Sequence, residues 1–103
     1  MNKSNALATL ENVSRWVDTM PGSELHKQDI DLLIARIEAI IKTFWDTPEY
    51  LENELKMLSS TLLSLVRNSA VMSGDEQVVY TINEKVKAII KAVEENVARS
   101  EVQ

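Results

Sequence analysis

The chain carries one imidazole, His26, with a carboxylate three residues later at Asp29. On one helical turn that spacing lets the two side chains share a hydrogen bond, the arrangement that orients a general base. Catalysis would also need a pocket, a group that orients the substrate and usually a second titrating residue, and the sequence places none nearby. His26 is therefore expected at the surface, near a helix start. A di-metal site in a helical bundle needs Glu-x-x-His on two helices, and the position three before His26 is Ser23. Cysteine is absent, which removes thiolate nucleophiles, disulfides and cysteine zinc sites. Gly22 and Gly74 stand in separate turns, whereas a phosphate cradle needs several glycines together. Ser59, Ser60 and Thr61 fall inside a helical pattern with no histidine placed beside them, and are expected as helix-surface hydroxyls. Glu49, Glu52 and Glu54 gather charge, but calcium loops alternate oxygen ligands around a glycine, so these acids fit a solvated helix start. The expectation is of no catalytic, cofactor-binding or metal-binding residue, and of a protein that is not an enzyme.

The elements around these residues follow from breaks and periodicity. With 103 residues, 45% of them hydrophobic and 26% charged, the chain suits one globular domain and lacks the low hydrophobicity of disordered sequences. Two glycines and two prolines are too few for the turns of a small β-sandwich or barrel. Met20-Pro21-Gly22-Ser23 ends a first helix, about 5–20, capped by Ser4 or Asn5 and striped by Ala6, Leu7, Leu10, Val13, Val17 and Met20. A second helix, about 24–46, carries Ile30, Leu33, Ile34, Ile37, Ile40, Ile41 and Phe44 at helical spacing. Leu25, Leu32 and Ala39 recur every seven residues on its other side, which predicts a second apolar face and a central position. Thr47-Pro48-Glu49 combines an N-cap, a first-turn proline and an acid at the positive helix start. The third helix, about 48–72, has Leu51, Leu55, Leu58, Leu62 and Leu65 in a heptad seam, continued by Ser69 and Met72. Ser73-Gly74-Asp75-Glu76 precedes a fourth helix, about 75–99, with Val79, Ile82, Val86, Ile89, Ile90, Val93 and Val97 inward and a Lys91–Glu95 pair outward. The predicted fold is all-α: a compact antiparallel bundle of four helices, the first short and the other three longer, in one domain over 1–103.

Charge bounds the partners. Between Asp18 and Glu54 stand nine acids and three bases, within a chain of net charge −5. Such a field repels phosphate and argues against direct nucleic-acid binding, while it attracts a basic protein. The longest stretch without charge, Met57 to Val66 between Lys56 and Arg67, is too short to cross a bilayer. Glu11 interrupts the apolar run after Met1-Asn2-Lys3-Ser4 before a signal-peptide core could form, so no membrane contact is expected and a cytoplasmic location fits.

Apolar residues that the stripes leave over mark candidate contacts: Trp16, Leu25, Leu32, Met57 and Leu63, with Trp45 and Tyr50 from the aromatic cluster around the second turn. Trp45-Asp46-Thr47, and Tyr80 with Glu84, are loosely similar to the Trp-x-Gly turn and Tyr-x-x-x-Asp/Glu signal of the small helical hairpins of type VII secretion. Thr47 in place of glycine, Tyr80 early in the last helix and the break at Gly74 depart from that pattern, and the chain is assigned to no family. The leading expectation is a non-catalytic protein–protein interaction module, an adaptor, small chaperone or inhibitor. It would act through helix faces and the acidic middle segment on another, basic protein. Two alternatives stand beside it: a self-assembling helical protein or homodimer, and an acidic decoy that blocks a nucleic-acid-binding protein.

Overall fold

The structure, a computed structural model, describes residues 1–20, 26–73 and 76–102. These form an all-α four-helix bundle: α1 (Lys3–Thr19), α2 (Lys27–Phe44), α3 (Pro48–Ser73) and α4 (Glu76–Val102). Each helix packs mainly on two neighbours, in the cyclic order α1, α2, α3, α4, α1, as expected where short connections place successive helices antiparallel. One apolar core draws buried residues from all four. The bundle measures 47 × 22 × 20 Å, and its length is that of α3 and α4, whose 26 and 27 residues rise about 40 Å at 1.5 Å each. α2 has 18 residues against 17 in α1, so two helices are short and two long, rather than one short and three longer.

The local signals explain most boundaries. Asn2, not Ser4 or Asn5, caps α1: its side-chain oxygen accepts from the Asn5 N–H at 2.8 Å, satisfying an otherwise orphan first-turn donor. Thr47 precedes α3 with its carbonyl accepting from the Leu51 N–H at 3.1 Å and Pro48 in the first helical position, while its hydroxyl donates back to the Phe44 carbonyl at 3.3 Å rather than serving the first turn of α3. The Thr47 N–H in turn donates to the Phe44 carbonyl at 3.0 Å, which closes the α2–α3 turn. α2 begins at Lys27 after His26, three residues later than its acidic approach suggests; Pro21 to Leu25 lie outside the described residues.

The buried stripes correct the sequence in four places. In α1, Ala6, Leu10, Val13, Val17 and Met20 are buried as expected. In α3 the seam passes through Val66 rather than Leu65, because 51, 55, 58, 62, 66 and 69 follow the 3.6-residue period of a straight helix while a strict heptad drifts off the core. In α4, Val78 and Ala92 are buried, whereas Val79 and Ile90 only flank the core. In α2 the second apolar face is not used: Leu32 is 64% exposed, Ala39 is exposed, and the helix is one of four equivalent walls rather than a central element. Ser59 is buried, not a surface hydroxyl, while Ser60 and Thr61 are exposed.

Candidate functional site

The contacts of α2 and α3 fix which edge of each helix meets which neighbour. On α3, Lys56 Nζ lies 3.4 Å from Glu94 Oε1, so the edge carrying Lys56 faces α4 and the opposite edge faces α2. At 3.6 residues per turn, Tyr50, Glu54, Met57 and Leu65 occupy that α2-facing edge. On α2, Glu38 and Lys42 share a groove with α1, which leaves Leu33, Ile40 and Phe44 on the edge toward α3. The Phe44 and Tyr50 rings meet across the turn, with centroids 4.6 Å apart and planes tilted by 57°, a favourable aromatic geometry. Leu33, Ile40, Phe44 and Leu65 are half-buried against the core. Tyr50 and Met57 stand 50% and 59% exposed on that α3 edge, bordering the groove that α2 and α3 leave where they pack side by side.

Its electrostatics are one-sided. Asp29 and Glu54 lie on these edges, Asp46 lies in the turn and borders a cavity with Tyr50 and Ser100, and none of the three forms an ion pair among the described residues. Two of the three bases in the acidic segment are engaged elsewhere: Lys27 Nζ with Asp18 Oδ1 at 2.8 Å, and Lys42 Nζ with Glu38 Oε1 at 2.8 Å. Arg36 is the remaining cation on these two edges. The expected Lys91–Glu95 pair is not made; Lys56 instead bridges Glu52 at 3.9 Å and Glu94 at 3.4 Å, tying α3 to α4.

The residues singled out from sequence do not converge on one surface. Tyr50 and Met57 share the α2–α3 groove, and Trp45, half-buried against the core, closes the bundle beside it. Leu63 is half-buried on the α4 side of α3 and widens the core. Trp16, 38% exposed, lies on the α1 edge away from α2, and Leu32 points outward from α2. Leu25 lies outside the described residues. Sequence reasoning placed Leu33, Ile40 and Phe44 in the inward stripe of α2; they do pack against the core, but only half-buried, and so also border the α3 edge. The signal was present in the seven-residue spacings Leu33 to Ile40 and Tyr50 to Met57, which set apolar residues along facing edges of adjacent helices. Tyr80, 62% exposed on α4, was also passed over as a surface residue.

A second groove, about 530 Å³, opens between α1 and α2 over Leu7, Leu10 and Ile34. The charges there are mutually satisfied, with Glu38 paired to Lys42 and Glu11 to Arg15 at 3.0 Å, so it offers a ligand little electrostatic attraction. His26 precedes α2 without a side-chain capping bond, and no hydrogen bond joins it to Asp29 among the described residues. No group of three His, Cys, Asp or Glu side chains suited to a metal ion occurs among the described residues, and none of the described helices is long and apolar enough to cross a membrane. No protein-family model matches the chain, and neither a curated protein nor a solved structure shows significant similarity to it.

Proposed function

We propose that the chain is a non-catalytic protein–protein interaction module, an adaptor, small chaperone or inhibitor, whose contact surface is the α2–α3 groove and whose partner presents a basic surface. The observation that carries this reading is the solvent exposure of Tyr50 and Met57 on edges that also carry Asp29 and Glu54, with Asp46 in the adjoining turn, carboxylates that form no ion pair among the described residues. Exposed apolar side chains beside unpaired charge suit a contact in which burial supplies affinity and charge supplies orientation and encounter rate. Methionine adapts to irregular partner surfaces, and tyrosine contributes a large contact area with few rotatable bonds. Charge also weighs against a symmetric dimer through this groove, because two copies would bring the same carboxylates together.

The test is affinity capture from the native cell with three baits: the wild-type protein, Met57→Glu, and Tyr80→Glu as a control on α4. A protein retained by wild type and Tyr80→Glu but lost by Met57→Glu supports the reading. Recovery of the chain alone, at a multiple of its own mass, would replace it with self-assembly, and equal loss from both variants would move the contact surface off α2 and α3.

A further inference from the structure

We propose that the partner docks on the α2–α3 groove with an amphipathic helix whose polar face is basic. This deepens the interaction reading above and rests on it. Counted outward from the turn at Asp46, the apolar residues of the groove alternate between the two antiparallel helices: Phe44, Tyr50, Ile40, Met57, Leu33. Within each helix the repeat is seven, from Leu33 to Ile40 and from Tyr50 to Met57. A straight apolar line of this kind, raised on two neighbouring helices, matches the i, i+3, i+4, i+7 anchors of a third helix laid along the groove. An extended strand finds no equivalent, because α2 and α3 make their backbone hydrogen bonds internally and offer no sheet edge to pair with.

Charge selects the sign of that helix. Asp46 stands in the turn beyond α2, Glu54 partway along α3 and Asp29 near the start of α2, about 22 Å of helix from Phe44, so carboxylates with no ion pair among the described residues flank the apolar line. Arg36 is the single opposing cation on these edges and leaves the balance negative. A basic amphipathic helix of about 17 residues would place apolar anchors on Met57 and Tyr50 and lysines or arginines against the three carboxylates. A second copy of this chain is a poorer occupant, since the exposed faces of α2 and of the first half of α3 are themselves acidic.

The experiment uses fluorescence anisotropy with the full chain and three labelled synthetic peptides of about 18 residues, five helical turns in length. The first is an amphipathic Leu/Lys helix, the second a scrambled isomer with the same charge and no apolar face, and the third an amphipathic Leu/Glu helix. The expected result is binding of the Leu/Lys helix at least tenfold tighter than the other two, weakening with salt. Met57→Glu and the double variant Asp29→Lys/Glu54→Lys should each reduce that binding at least tenfold, while Tyr80→Glu leaves it unchanged. All four substituted positions lie on outward-facing edges, and circular dichroism checks that each variant remains folded. Equal binding of the scrambled peptide would show attraction by charge alone and overturn the proposal. So would tighter binding of the Leu/Glu helix, loss of binding in Tyr80→Glu, or no binding of the Leu/Lys helix. A native partner that Met57→Glu releases, alongside failure of the Leu/Lys helix, would retain the interaction surface and remove only the helical occupant.

Discussion

Replacing Ser59 by alanine should stabilise this protein, and the size of the gain tests how α3 and α4 pack. Ser59 is 1% exposed, and its hydroxyl has no hydrogen-bond partner. A buried hydroxyl left unsatisfied costs about 1–3 kcal/mol, and alanine is the better helix former by roughly 0.5 kcal/mol. Against these stands a void smaller than a methyl group, which at about 24 cal/mol per Å³ costs a few tenths of a kcal/mol. Ser59→Ala should therefore raise the unfolding free energy by about 1–3 kcal/mol. Ser60, the next residue and exposed, provides the control: Ser60→Ala gains only the propensity term of roughly 0.5 kcal/mol. Urea unfolding followed by far-ultraviolet circular dichroism gives both values from midpoints at constant slope, and Tm should rise by roughly 4–8 °C per kcal/mol in a domain of this size. If Ser59→Ala is less stable than Ser60→Ala, the hydroxyl is bonded, to the carbonyl one turn back at Leu55 or to a buried water, and the reading of Ser59 as an unsatisfied buried hydroxyl is wrong.

Three further predictions address the core, the cap and the surface. Val78→Thr should cost at least about 1 kcal/mol more than Val79→Thr, because only Val78 buries the new hydroxyl, and paired denaturation curves decide it. Asn2→Ala should weaken the start of α1 by about 1 kcal/mol, seen as faster hydrogen exchange at the Asn5 amide, with α3 and α4 unaffected. Met57→Glu should change global stability by less than about 0.5 kcal/mol, so that any loss of partner binding reports the surface rather than the fold; a drop of several kcal/mol would show that Met57 is a core residue.

The fold was legible because three breaks and a 3.6-residue apolar period pointed to the same four helices. Thr47-Pro48 shows the local chemistry at its clearest, since first-turn proline and helix start coincide in sequence and structure. What misled was the assumption that regular apolar spacing implies burial. Leu32 and Ala39 keep a seven-residue interval yet face water, because α2 has neighbours only on its α1 and α3 sides. Leu65 fits a heptad, but the 3.6-residue period of the helix turns Val66 inward and leaves Leu65 half-buried. Ser59 and Ser69 are polar yet buried, which the hydrophobic pattern of α3 alone does not mark. The groove was only half legible: Tyr50 and Met57 stood out as surplus apolar residues, whereas Leu33, Ile40 and Phe44 read as the inward stripe of α2, and only their half-burial shows that they also border the α3 edge.

The central claim, that the α2–α3 groove meets a partner, is tested most directly by placing a photo-crosslinking phenylalanine analogue at position 50 or at position 80 in the native cell. Tyr50 and Tyr80 are comparably exposed, at 50% and 62%, but only Tyr50 borders the groove. The account predicts a crosslink from position 50 to a different protein with a basic amphipathic helix at the site of attachment, and no such product from position 80. A product from position 80 alone, or a species from position 50 at twice the chain's own mass, would contradict it.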